Sequence, residues 1–556
     1  MSRMLRSSRQ FTWMTRGAAA LVVAMAGCQA PNDGDGSDRG DTSASTDELV
    51  ADPALIVPAA RGSDAPRPLS TEPVPQPSGG HIIDQAAAVR LGKSLFWDIQ
   101  VGSDGQTACA TCHAVAGADD RKINTINPGP DHLFTSVSGP GQPFTPANLT
   151  SDDRVGSQGV AAAVFSGIDP DPAHGADLCT ATPDPQFGSA RQVTGRNTPT
   201  VIGAVFFRDA FWDGRANHTF NGVDPFGATA NTDPGEAKAS VGNGALASQA
   251  VGPALSPVEM SCEFRDFNNA NGLGTKLLAR QPLQFQAVDP SDSVLGSLAT
   301  VAAPGLTCNG APCRYDDLIR PAFGAALADA AEANFSVIWG EAIAAYEATL
   351  IPDQTPLDRY LAGDTSALTA AQQRGLGTFQ GKGSCTKCHS GPALSDATVS
   401  YFQANGATNR DGGDQGFHNL GVRPTAEDLG RAGLGPAKAS FSVSGKPADR
   451  GAFKTPGLRN VKLTAPYFHN GGKATLADVV AFYSRGGDFA NPERAQDLSP
   501  RSLSADEQAT LVDFLANGLT DCRVEMQRAP FDHPALTVPN GRVLPATGAT
   551  GVGSCP

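Results

Sequence analysis

Two short stretches carry the plainest chemistry, Cys109-Ala-Thr-Cys112-His113 and Cys385-Thr-Lys-Cys388-His389. Two thiols at this spacing lie on one turn, where they can add to the two vinyl groups of a haem. The histidine that follows immediately can place an imidazole nitrogen on the iron. A redox Cys-x-x-Cys pair or half of a zinc site uses the same spacing once. Zinc would need two further Cys or His ligands beside each motif, and the remaining cysteines supply no repeated pairs. Two copies therefore point to two covalently attached c-type haems, with His113 and His389 as proximal ligands. The sixth position on each iron separates a reactive site from an electron wire. Methionine is scarce for that role. Of six Met, Met1, Met4, Met14 and Met25 fall in the N-terminal segment, which leaves Met260 and Met526 as thioether donors.

The N-terminus predicts where this chemistry happens. Arg3, Arg6, Arg9 and Arg16 precede an apolar run, Ala18 to Ala26, too short to span a bilayer but suited to a signal peptide over residues 1–27. Ala26-Gly27 directly before Cys28 resembles a bacterial lipobox, in which Cys28 would be acylated; an ordinary cleaved signal is the other reading. Both predict export to the periplasm, and the first adds a lipid anchor, at the outer membrane, as the sole membrane contact. The formal charge of −14 becomes −18 without those four arginines. Such an acidic chain excludes nucleic acid as a partner, since its binding proteins present basic faces, and is compatible with docking a basic protein. Six cysteines remain besides Cys28 and the haem thiols. An even number in an oxidising compartment predicts three disulfides, and sequence proximity favours Cys308–Cys313, Cys179–Cys262 and Cys522–Cys555 over free thiols.

The elements that must position the motifs are helical. Residues 28–80, rich in Ser, Asp, Pro and Gly, read as a disordered tether. Ala88, Leu91 and Leu95 repeat as one helix face ahead of the first motif. A second helix is expected at Ile338–Leu350. Thr369-Ala-Ala-Gln resembles a capping box opening a helix that carries Leu376 and Phe379 toward the second motif. Thr475-Leu-Ala-Asp and Ser504-Ala-Asp-Glu open two more, with apolar faces Val479/Phe482/Tyr483 and Leu511/Phe514/Leu515. Residues 114–195 and 217–248 read as long loops, and no strand alternation emerges. The expected class is mainly α: two tandem cytochrome c-like domains with long loop insertions, 81–365 around the first haem and 366–525 around the second, followed by a C-terminal extension, 526–556.

Several further stretches, taken with the two motifs, resemble the bacterial di-haem cytochrome c peroxidase and MauG family. They are Arg196-Asn-Thr-Pro-Thr-Val, Phe211-Trp212-Asp213-Gly214-Arg215, Gln249-Ala-Val-Gly-Pro253 with Pro257-Val258-Glu259-Met260, Lys454-Thr-Pro-Gly-Leu-Arg-Asn-Val461, and Thr464-Ala-Pro-Tyr-Phe-His-Asn470. The resemblance spans about residues 81–520. It implies that His113 serves a peroxidatic haem, with Glu259 as distal acid/base and Gln249 and Pro253 lining the same pocket. It implies Trp212 as an electron relay between the haems. Asn197 and the carbonyls of Thr464 and Pro466 would form a calcium site between the domains. Where simple members place an axial Met on the second iron, this chain has Tyr483 in Ala-Phe-Tyr-Ser-Arg-Gly-Gly, similar to MauG, which implies Tyr483 as the other ligand of the second iron; a tyrosine packed in the core beside Val479 and Phe482 is the alternative. Two departures stand out: a long segment between Trp212 and Gln249 that could cover the site, and Gly383 where MauG carries the tryptophan that relays oxidation to its protein substrate.

The implied function is reduction of hydrogen peroxide at the first haem, with electrons relayed through the second from a small donor protein (a cytochrome c or blue copper protein). A MauG-like enzyme that spends peroxide equivalents on an oxidisable protein substrate is one alternative. A non-catalytic di-haem electron carrier is the other. It would need a sixth protein ligand on the first iron, for which His132 is the candidate, although a histidine in a Pro/Gly loop is more often a solvated surface residue.

Overall fold

Two buried helix crossings, one in each half of the chain, set the frame. In the first half α1 (Gln85–Trp97) leads to the short helix α2 (Cys109–His113), and the same half contains α3 (Ala245–Leu255), α4 (Tyr315–Asp329) and α5 (Phe335–Glu347). In the second half α6 (Ala370–Gln380) leads to the 3-10 turn Cys385–Lys387, and α7 (Leu476–Arg485) and α8 (Ala505–Asp513) follow. These coordinates are a computed structural model, which describes residues 64–555 apart from 146–148, 150, 228–236, 301–303 and 436–437. The expected signal segment, Cys28 and residues 28–63 of the expected tether lie outside the described residues.

Side-chain caps start four of these helices, three of them where the sequence suggests. Asp84 caps α1 by accepting from Ala87 N. Thr369, Thr475 and Ser504 cap α6, α7 and α8, each in a reciprocal capping box with the residue three positions on. Gly486, at φ 85°, stops α7 in the left-handed conformation that favours glycine. Packing then brings first and last helices together. On α1, Leu91 and Leu95 are fully buried, each contributing about 1.5–3 kcal/mol of hydrophobic stabilisation. Gly92 lets α1 approach α5 so closely that a Cβ there would meet the Ala342 carbonyl oxygen at 1.9 Å. Gly375 does the same between α6 and α8, where a Cβ would lie 2.2 Å from Thr510 O. One apolar cluster gathers Leu91, Leu95, Phe335 and Trp339; a second gathers Leu376, Phe379, Leu511 and Phe514.

Three expectations need correction. Residues 64–80 are not tether: Leu69 is buried, its N–H donates to Asp358, and Glu72 hydrogen-bonds Ser400. The region read as loops contains antiparallel ladders. β1 (Gln158–Ala161) pairs with β4 (Arg191–Val193), and β2 (Ala163–Ile168) pairs with β3 (Asp177–Ala181). The second pair is largely half-exposed or exposed on both faces, so it lacks the apolar/polar alternation that betrays a strand. The long segment after Trp212 is stitched down by β5 (Thr219–Phe220) against β6 (Val241–Gly242), with Phe220 fully buried in the first cluster. Further along, β7 (Phe417–His418) pairs with β8 (Phe453–Lys454). The C-terminal extension returns to the first half, where Phe531, Leu536 and Val538 join the first cluster.

All three disulfides form as proximity suggests: Cys179–Cys262, Cys308–Cys313 and Cys522–Cys555. Cys179–Cys262 closes a chain separation of 83 residues and ties β3 to the segment just after Glu259. Replacing both cysteines with serine should cost about 2–4 kcal/mol, read as a lower denaturant midpoint. An unchanged midpoint would show that the surrounding packing alone fixes this segment.

Candidate active site

Each Cys-x-x-Cys-His motif borders its own cavity. The first is lined by Cys109, Cys112 and His113 together with Gln249, Pro253 and Glu259. The second is lined by Cys385, Cys388 and His389 together with Tyr483, Val479 and Val480. All four motif thiols are free while the other six described cysteines are paired. His113 Nδ1–H donates to Gly117 O (2.7 Å) and His389 Nδ1–H to Leu394 O (3.2 Å), which leaves Nε2 of each ring as the ligand atom. Burial lowers the pKa of both imidazoles, so each is neutral, as ligation requires. Paired thiols, an oriented neutral imidazole and a cavity beside them fit one c-type haem at each place.

Glu259 is held by what surrounds its turn. Ser256 O accepts from Glu259 N and Met260 N, Ser103 N donates to Met260 O, and Gln192 donates to Pro257 O. Strand β1 crosses directly over it, for a Cβ on Gly159 would meet Glu259 O at 2.3 Å. Burial raises the Glu259 pKa, partly offset by the Arg215 charge and a Ser256 hydrogen bond. Gln249 and Pro253 come from α3. The ring of Pro253 replaces the N–H that would bond the Gln249 carbonyl, loosening the last turn beside the cavity.

Trp212 borders both cavities, as do Asn197, Phe207 and Lys454. Its indole N–H donates to Asn197 O (2.7 Å), and its carbonyl accepts from Lys454 N on β8. Of the three residues expected at calcium, Asn197 and Pro466 are in contact, the Asn197 side-chain N–H donating to Pro466 O at 2.6 Å, and Thr464 borders the same cavity. Their oxygens are neutral amide and carbonyl donors of the kind a hard cation accepts. Tyr483 faces the second cavity, and its hydroxyl has no hydrogen-bond partner among the described residues. Burial first, then the Cys388 and Cys385 thiols, push its pKa up, so a phenolate there needs a compensating positive charge. Gly383 leaves no room for a larger residue on this backbone, since a Cβ would sit 2.7 Å from Thr378 O. His132 is exposed, in left-handed backbone at φ 62°, and does not border the first cavity. The surface reading is the one the structure supports. Met526 borders neither cavity, whereas Met260 borders the first.

Two groups escaped the sequence reading. Glu347, on α5, borders the first cavity with one carboxylate oxygen buried and unpartnered. Its signal was available: an acid in a helix buried almost all round. Lys454 is buried with its ammonium 3.5 Å from the centre of the Phe207 ring, and burial pushes its pKa down to about 7.

A pair of cavities, each bordered by its own haem-attachment motif and sharing Trp212 and Phe207, the first also bordered by Glu259, fits a di-haem oxidoreductase. The chain matches the family model described as di-haem cytochrome c peroxidase over residues 86–163 and 173–366. It is 37% identical over 198 residues to cytochrome-c peroxidase IdrP1 of Denitromonas iodatirespirans, covering 31% of this chain and 47% of that protein. Its likeness to cytochrome-c peroxidase IdrP1 of Pseudomonas sp. (strain SCT) is 25% over 480 residues, 84% of this chain and 90% of that one. With the methylamine utilization protein MauG of Methylorubrum extorquens it shares 25% over 444 residues, 80% and 81% of the two chains. The chain belongs to the di-haem cytochrome c peroxidase family, oxidoreductases that act on hydrogen peroxide.

Burial pushes the Glu347 pKa up to about 8 from an ordinary 4.5. Below pH 4.5 the group is protonated in folded and unfolded chains alike. As pH rises from 4.5 to about 8 the unfolded chain releases the proton while the folded chain keeps it, so stability falls across that window. Glu347→Gln should therefore gain stability over the natural protein with rising pH, read as denaturant midpoints from pH 5 to 8. A gap that does not change with pH would remove Glu347 as the titrating group.

Proposed function

We propose that this protein is a periplasmic peroxidase that reduces hydrogen peroxide to water in the first cavity, with electrons entering through the second. The observation that carries the reading is the placement of Glu259, a half-buried acid whose pKa is raised by desolvation, in the cavity of Cys109, Cys112 and His113. When bound, the first haem supplies the iron and the electrons that split the O–O bond. Glu259 takes a proton from the near oxygen of the peroxide and returns it to the far oxygen, which leaves as water. Desolvation raises its pKa, which suits a carboxylate that accepts and returns a proton. Gln249 orients the peroxide, and Pro253 keeps the pocket wall close. Trp212, bordering both cavities, relays the electrons. Asn197 and the carbonyls of Thr464 and Pro466 would hold a calcium ion that fixes the wall beside Trp212. The electron source is a small donor protein. A lipid on Cys28 would keep the enzyme at the outer membrane.

The second reading, oxidation of a partner protein, draws on Tyr483. A half-buried tyrosine whose hydroxyl lacks a protein partner among the described residues, in the cavity of His389, would be the ligand of the second iron. Phenolate is a hard anionic ligand where thioether is soft and neutral; it lowers the potential of its iron and lets that iron store an oxidising equivalent. Gly383 speaks against the MauG exit route, because the backbone there has no space for an indole. The peroxidase reading therefore stands first.

Glu259→Gln should slow peroxide cleavage by about 100- to 10,000-fold in stopped-flow measurements while peroxide still binds. An unchanged rate would assign Glu259 to structure. Tyr483→Met should raise the potential of the second haem in a redox titration and shorten the life of its oxidised state. If neither moves, Tyr483 is a core residue.

A further inference from the structure

Beside the first haem ligand lies a group of residues that the proposed mechanism does not use. Phe96, at the end of α1, has its ring 6.3 Å from the His113 imidazole, 6.2 Å from the Trp97 indole and 5.4 Å from the Tyr346 phenol. Trp97 donates its indole N–H to Tyr346 Oη at 3.0 Å and stacks face to face on His533, at 4.8 Å and 11°. Trp97, Tyr346 and His533 are all buried, and none borders either cavity.

The charges beside this stack are unusual. Lys93, one turn before Trp97 on α1, lies 2.8 Å from Asp292 and 3.5 Å from Asp532, the residue preceding His533. All three side chains are fully buried. One cation faces two carboxylates, which leaves one formal negative charge in excess. His533 does not cancel it. Its Nδ1–H donates to Pro534 O, its Nε2 has no partner, and burial lowers its pKa, so the ring is neutral. A single carboxylate would suffice to pair Lys93. The second makes this a buried site that favours a positive charge nearby, and in a low-dielectric interior that preference is far stronger than at the surface. The indole face on the stack is the group able to develop one.

We infer that Trp97 is an oxidisable store for the first haem, giving up one electron to an oxidising equivalent left there after peroxide cleavage and holding the resulting positive charge. The inference rests on the peroxidase reading, which supplies the oxidant. In the step, Trp97 loses one electron and the haem gains it. No bond breaks and no proton moves, because the indole N–H stays on its hydrogen bond to Tyr346, whose own phenol burial keeps protonated. The electron later returned by the donor protein restores Trp97. Such a store matters when peroxide arrives and donor is scarce, since it draws the oxidising equivalent into a defined site away from the haem.

The test uses the full protein with both haems, mixed with hydrogen peroxide without reductant, freeze-quenched for EPR and followed in parallel by haem absorption. The expected result is an organic radical signal that narrows when the protein carries indole-deuterated tryptophan. Trp97→Phe should abolish it, and Asp532→Asn, which keeps the shape but removes the excess charge, should diminish it. In both variants the haem absorption should still respond to peroxide. A radical that persists in Trp97→Phe, or a haem response in the natural protein with no organic radical, overturns the inference and leaves the peroxidase reading intact. Should Trp97→Phe fail to fold, Asp532→Asn decides: an undiminished radical overturns the proposal. A haem absorption that ignores peroxide altogether overturns both.

Discussion

The wall shared by the two cavities is the constraint on which the rest of the structure depends. Trp212 is fixed at both its ends, by its N–H on Asn197 O and by its carbonyl on Lys454 N. Asn197 in turn reaches Pro466 O with its side chain, so segments far apart in sequence meet at one indole. Arg196 bridges Asp213, next to Trp212, with Asp428 from the second half, and Arg431 joins Asp414 to the carbonyls of Asp213 and Gly214. Buried charge pairs of this kind add little net stability but fix geometry, because breaking one strands a charge. Two cavities can stay in register only while that wall holds.

Around the first cavity, parts of the chain without obvious structure act as buttresses. Strand β1 lies over the Glu259 turn, Gln192 on β4 holds Pro257 O, and the Cys179–Cys262 bridge closes the next residues. A short ladder with a disulfide beside it holds the Glu259 turn rigidly against the cavity. The second cavity is built differently, from helices α6, α7 and α8, whose residues line it directly. The C-terminal extension strengthens the first half again, through Phe531, Leu536 and the Lys93–Asp532 contact.

Local interactions were legible in the sequence, and for that reason helix starts were. Capping boxes at Thr369, Thr475 and Ser504 are short-range hydrogen-bond patterns, and each marks its helix at the expected residue. The haem motifs are equally local, and so were the disulfides that join near neighbours. The ladder of 163–168 with 177–181 was missed because strands exposed on both faces carry no period-two signal, that of 158–161 with 191–193 because strands this short and mostly buried show no alternation, and residues 64–80 because composition does not report what a segment packs against.

What the sequence determined by itself is the chemistry available: thiols and imidazoles at haem spacing, a tyrosine where a thioether was possible, an acid in a family-like context. The tertiary structure alone decided which of these groups share a space. Lys454 became visible only as a buried cation bordering both cavities, and the Lys93–Asp292–Asp532 group only as a long-range cluster of helix α1 with two distant segments. Burial and through-space charge depend on contacts between residues hundreds of positions apart, and no pattern of nearest neighbours encodes them.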